Sequence, residues 1–217
     1  YIIGKIKHGD SGEITLYTKS RNQIFNDDVP WKLVCDVPDS VVGYTWFNEY
    51  IYLFSARNAP RYKVVRTPLR NPDFNSAEVV FPPSDLVYRN ATRTSDRLYF
   101  SALDGGYNRL IEYNPASGTS MQLPLPDNES SYIFSASHYL QDIYVTSNAW
   151  THAGKDQTYN HSTGTFQELN LEPPGEFDDP GWLKSERILV KSHDGVEVPL
   201  SLIYRKGLKM DGKNPTL

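Results

Sequence analysis

The side chains able to do chemistry are few, and their spacing argues against a complete reaction centre. Ser192-His193-Asp194 sets a nucleophile, a base and an acid in three consecutive positions. Neighbours on an extended strand point to opposite faces, so such a run cannot form the relay a serine nucleophile needs. Asp194-Gly195 between two apolar runs is better explained as a tight turn, with Gly supplying a positive φ and Asp tolerating it. The sequence holds no Gly-x-Ser-x-Gly elbow, no phosphate-cradling glycine loop, no His-Glu-x-x-His and no Cys-x-x-Cys. His8, His138, His152, His161 and His193 share no ligand-like spacing. Asp104-Gly105-Gly106 lacks the carboxylate spacing of a calcium loop and reads as a turn. The sole cysteine, Cys35, ends the run Trp31-Lys32-Leu33-Val34-Cys35, where a buried, inert thiol is expected. No cofactor and no metal is implied.

Composition narrows the partners. The 217 residues carry 22 Lys and Arg against 26 Asp and Glu, a net charge of −4. That balance builds no basic field for phosphate backbones, so nucleic acid is not an expected partner. No stretch approaches the roughly 18 apolar residues of a membrane helix, so a membrane is not expected either. Aromatic residues make up 13%, with 15 Tyr and 4 Trp, a content that demands a packed core. A single cysteine fits a cytoplasmic or a periplasmic home equally well.

The elements that must position any site are strands. Short runs of Val, Ile, Tyr, Phe and Thr are bounded by Asn, Asp, Gly and Pro, which predicts strands at 41–47, 50–55, 62–67, 77–81, 87–92, 97–102, 109–113 and 120–125. They recur in blocks. Ile51-Tyr52-Leu53-Phe54-Ser55 matches Leu98-Tyr99-Phe100-Ser101 and Ile143-Tyr144-Val145-Thr146-Ser147. Four strands in about 45 residues is the period of a β-propeller blade, whose two apolar faces are buried only by stacking around an axis. The expected fold is all-β: an open, partial propeller of antiparallel four-stranded blades, followed by a hairpin around Asp194-Gly195. About three and a half blades are expected, at 1–36, 41–83, 86–126 and 132–174. Residues 1–36 would supply the last three strands of their blade. The acid-, Gly- and Pro-rich stretch 175–186 reads as a linker, and 187–217 as the start of a second domain. The apolar runs at both ends lead to the expectation that this chain is cut from a longer protein.

Residues 190–217 closely resemble the prolyl oligopeptidase family of serine peptidases. The likeness rests on Ser192-x-Asp194-Gly195, Val198-Pro199 and Lys206-Gly207-x-Lys209-x-Asp211-Gly212-x-Asn214-Pro215. In that family this stretch opens the α/β-hydrolase domain after a seven-bladed propeller. Asn58-Ala59-Pro60-Arg61-Tyr62-Lys63 and Leu103-Asp104-Gly105-Gly106-Tyr107-Asn108-Arg109-Leu110 look like propeller connections of the bacterial members. The resemblance implies an endopeptidase that cleaves short, proline-containing peptides after proline through a Ser-His-Asp triad. The triad lies beyond Leu217 in that family, so the chain alone is expected to be inactive, with no catalytic residue of its own.

Strand alternation puts the loops between second and third strands at the end of each blade where its fourth strand finishes. Those loops, expected at 7–12, 56–61, 104–107 and 151–156, would line the cavity between propeller and hydrolase domain. His8, Asp10, Arg57, Arg61 and Asp104 are the charged candidates. The other aromatic residues alternate with polar ones and read as blade packing. Open blade edges imply self-association. A rival reading is a stand-alone propeller that binds a protein partner; another is a family member favouring basic residues.

Overall fold

The structure is a computed structural model that describes residues 1–126 and 128–216. Its strands are β1 (Ile2–Lys7), β2 (Ile14–Lys19), β3 (Lys32–Cys35), β4 (Val41–Phe47), β5 (Tyr50–Ser55), β6 (Lys63–Pro68), β7 (Glu78–Phe81), β8 (Val87–Arg93), β9 (Leu98–Asp104), β10 (Tyr107–Tyr113), β11 (Ser120–Gln122), β12 (Glu129–Ala136), β13 (Ile143–Ala149), β14 (His152–Asn160), β15 (Thr165–Glu168), β16 (Leu183–Lys191) and β17 (Glu197–Arg205). Consecutive strands pair antiparallel into sheets ordered β1-β2-β3, β4-β5-β6-β7, β8-β9-β10-β11, β12-β13-β14-β15 and β16-β17. The expected class therefore holds: the chain is all-β, a partial propeller of one three-stranded and three four-stranded sheets followed by a hairpin, with no sheet closed on itself among the described residues.

The chain divides into two compact units. The first, residues 1–104, 109–123 and 136–141, stacks its sheets through two cores. Ile14, Leu16, Val34, Val41, Ile51 and Leu53 join the first sheet to the second. Tyr52, Phe54, Phe81, Tyr88, Phe100 and Tyr113 join the second to the third. The two faces of β5 explain this division, since Ile51 and Leu53 point to one neighbour and Tyr52 and Phe54 to the other. All four are 0 or 1% exposed, and each such burial is worth about 1.5–3 kcal/mol. The repeat seen in the sequence is thus a repeat of inward-facing residues: Tyr99 occupies the place of Tyr52 and is likewise fully buried.

The second unit, residues 105–108, 124–135 and 142–217, holds the β12–β15 sheet and the β16–β17 hairpin. Ile143, Val145 and Tyr159 are buried there, and Phe166 lies against Tyr159 with ring centroids 4.8 Å apart. In the hairpin, Ile188 faces Leu200 and Val190 faces Val198 across the strands.

Three turns differ from expectation. The 104–107 loop shrinks to Gly105-Gly106, whose φ angles of 49° and 105° let β9 pass directly into β10. Asp104 consequently ends a strand. The 151–156 loop is mostly strand: β13 turns at Trp150-Thr151 and β14 already runs from His152. Ser192, His193 and Asp194 lie in a turn after β16, so the opposed-face argument does not apply to them. Ser192 Oγ is 3.2 Å from His193 Nδ1, but the Asp194 carboxylate accepts the Val196 N–H at 3.1 Å and is committed to the turn.

Candidate functional site

The five charged residues proposed from the sequence are distributed over three sheets, and the structure ties most of them to their own surroundings. His8 Nε2 is 2.8 Å from Thr15 Oγ1, which donates to Asp36 Oδ1 at 2.6 Å. The same carboxylate accepts the Val37 N–H, capping a single 3₁₀ turn at Val37–Asp39. These hydrogen bonds, the one from Thr15 foremost, hold the Asp36 carboxyl below the usual carboxylate range. Asp10 is exposed in the turn after β1.

Arg57 Nη1 pairs with Asp39 Oδ1 at 2.9 Å and Asn75 Oδ1 at 3.0 Å, while its guanidinium lies 5.7 Å from the Phe74 ring centre. It thereby fastens its turn to the segments before β4 and β7. Arg61 bonds the Asp85 carboxylate at the surface. Asp104 sits 3.4 Å from Arg109 Nε across the two-glycine turn. These are turn-fastening contacts made within the first unit.

The second unit carries a feature that sequence reasoning missed. A cavity of about 340 Å³ is lined by Tyr107, Ser130, Tyr132, Asn148 and Trp150. Tyr107 is buried, whereas Tyr132 and Trp150 are 50% and 58% exposed. Blade packing accounts for the first ring, while the other two stay half exposed. The Arg187 guanidinium lies 5.5 Å from the Tyr107 ring centre. Ser130 Oγ accepts the Asn108 N–H at 3.0 Å, and the Asn108 side-chain amide reaches the Ser131 carbonyl, so the wall is anchored. His152 Nε2 lies 3.0 Å from Glu129 Oε1 and its Nδ1 2.7 Å from the Ala153 carbonyl, fixing the start of β14 behind the Trp150 turn. Exposed rings lining one cavity beside amide and hydroxyl groups are suited to holding a flat, weakly polar group. The available signal was Trp150 itself: it follows the repeated second strand at a position where the earlier blades carry Asn58 and Gly105.

Burial raises the Cys35 thiol to about 12, so this group is not a nucleophile at ordinary pH. Among the described residues, no three His, Cys, Asp or Glu side chains cluster as metal ligands, and no helix is long and apolar enough to cross a membrane.

Comparison with known proteins places this architecture. The chain is 26% identical over 171 residues to a prolyl endopeptidase of Elizabethkingia meningoseptica, covering 78% of this chain and 24% of that protein. It is 28% identical over 142 residues to an uncharacterised peptidase, y4nA, of Sinorhizobium fredii (strain NBRC 101917 / NGR234), covering 64% of this chain and 19% of that one. The chain therefore spans about a quarter or less of the length of these relatives. Oligopeptidase B from Trypanosoma brucei superposes with a TM-score of 0.70 at 15% identity, over 96% of this chain and 32% of its own. Residues 17–163 match the family described as prolyl oligopeptidase, N-terminal β-propeller domain. That match covers more than half of the sequence, and the chain belongs to the prolyl oligopeptidase family through its propeller.

Proposed function

We propose that the chain is the gating part of a serine endopeptidase that cleaves short peptides after proline, and that alone it hydrolyses nothing. Residues 1–174 supply the partial propeller, 175–186 the linker and 187–217 the opening hairpin of the peptidase domain. The triad is supplied by a segment outside these residues. In the whole enzyme the propeller covers the active site, admits peptides by size and excludes folded proteins and bulk water.

The observation that carries this reading is the run of blade sheets ending in β15 and followed by β16–β17, whose sequence bears the Asp-Gly, Val-Pro and Asn-Pro pattern. Antiparallel order puts the turns at 8–13 and 56–62 at the same ends of their sheets as the last residues of β3 and β7. His8, Asp10, Arg57, Arg61 and Asp104 are thus kept as cavity-rim residues, with the Arg57 and Arg61 pairs shaping the rim. The Tyr107, Tyr132 and Trp150 cavity is the apolar contact for a passing peptide.

The test is cleavage by the longer protein that contains this chain. Turnover of a short chromogenic peptide after proline, with a folded protein of a hundred residues left intact, is the expected result. Cleavage after lysine or arginine would move the assignment to another specificity within the family. Absence of any cleavage by the longer protein would overturn the peptidase reading in favour of an interaction propeller.

A further inference from the structure

The Lys19 ammonium is buried, and no described residue gives it a counter-ion. It ends β2, is 5% exposed, and donates from Nζ to the Asn26 carbonyl at 2.7 Å. Among the described residues no carboxylate pairs with it. A buried charge is ordinarily paired, because leaving it with a single neutral acceptor costs several kcal/mol. Lys19 lines a pocket of about 220 Å³ together with Thr18, Ser20, Lys32 and Arg70, and no acidic side chain contributes to the lining.

Two further cations line the same pocket. Lys32 stands opposite Thr18 in the β2–β3 register, and its Nζ donates to the Arg70 carbonyl and Asn71 Oδ1, both at 2.7 Å. An ammonium has three donors, so Lys32 keeps one and Lys19 keeps two. Arg70 is exposed and also lines the pocket.

We propose that this pocket binds a small oxyanion of the phosphate class. Three cations line it and no carboxylate does, which suits the tetrahedral acceptors of a dianion. The ion would compensate Lys19. It would also tie the end of β2 to the segment after β6, reinforcing the Lys32 link between neighbouring sheets. The site lies within the first unit and is independent of any peptidase activity.

Inorganic phosphate titrated into the purified protein by calorimetry at constant ionic strength is the direct test, with a parallel thermal melt. Saturable binding is expected, with a melting temperature raised beyond that given by sodium chloride of equal ionic strength. Lys19→Met removes the buried charge, and Arg70→Gln, at an exposed position, leaves the fold intact. Each is expected to weaken binding about tenfold or more, as for the loss of one charge-assisted hydrogen bond. A second titration with phenyl phosphate identifies the source. Tighter binding of inorganic phosphate marks the free ion and tighter binding of the ester marks a phosphoryl group on a larger molecule, and either supports the site. Phosphate acting no differently from chloride, or Arg70→Gln binding as tightly as the parent, would overturn the proposal.

Discussion

Phe100 meets Phe81 edge-on, with ring centroids 5.0 Å apart and planes at 76°, at the seam between two neighbouring sheets. Tyr113 and Tyr88 stand against the same Phe100 ring at 6.1 and 6.3 Å, so one side chain anchors both sheets. Phe100→Ala leaves a large cavity that these rings cannot fill without moving. The expected loss is about 3–5 kcal/mol in urea-induced unfolding. Phe100→Leu, which keeps most of the volume, should lose clearly less.

Cys35 gives the alkaline limb of stability a recognisable contribution. Burial lifts its thiol from 9.0 to about 12, so the unfolded chain releases this proton first. The contribution is intact below pH 9 and is lost as pH climbs toward 12, at about 1.4 kcal/mol per pH unit. Cys35→Ala should flatten the decline of unfolding free energy over that window. At pH 8 iodoacetamide should label Cys35 only after urea unfolds the protein.

The β9–β10 turn depends on two glycines whose φ angles suit few other residues. At Gly106, with φ of 105°, an added Cβ meets no atom within 4 Å, so any penalty is backbone strain alone. Gly106→Ala should lower stability by about 1–2 kcal/mol in a thermal melt. Gly12→Ala is the control: its φ is ordinary and its nearest neighbour is Val42 Cγ1 at 3.9 Å, so the melt should hardly move.

On the proposed function, Trp150→Ala in the longer protein should raise KM for a proline-containing octapeptide several-fold and leave kcat nearly unchanged, because that reading has the ring hold substrate away from the reacting bond. Arg57→Ala with Arg61→Ala should alter the length dependence of cleavage by loosening two turns at the rim. Identical kinetics for all three replacements would remove the cavity-rim assignment.

The first sheet ends in β1, whose outer edge pairs with no other strand among the described residues and which exposes Ile6. The purified chain should therefore associate, and light scattering should give a mass above that of one chain, falling on dilution. Ile6→Lys places a charge on that edge and should shift the equilibrium toward the single chain. A concentration-independent single-chain mass would contradict this expectation.

The strands were legible because burial of both sheet faces writes itself into the order of residues. Ile51 and Leu53 serve one core while Tyr52 and Phe54 serve the other, and the same alternation returns at Leu98–Phe100. The turns were less legible. Gly105-Gly106 and Trp150-Thr151 take fewer residues than their polar composition suggested, since strand ends carry polar side chains as readily as loops do. The candidate site was the least legible part. Arg57 is matched by Asp39 and Arg61 by Asp85, partners 18 and 24 residues away that no local pattern reveals. Tyr107, Tyr132 and Trp150 likewise share a cavity only through the folded path of three strands.

Each sheet draws all its strands from one uninterrupted stretch of the sequence. Assembly on the ribosome can therefore proceed vectorially, with one blade condensing while the next is still being translated. No pairing has to wait for a distant partner, which keeps the entropy of loop closure small and the nascent sheets out of reach of intermolecular traps.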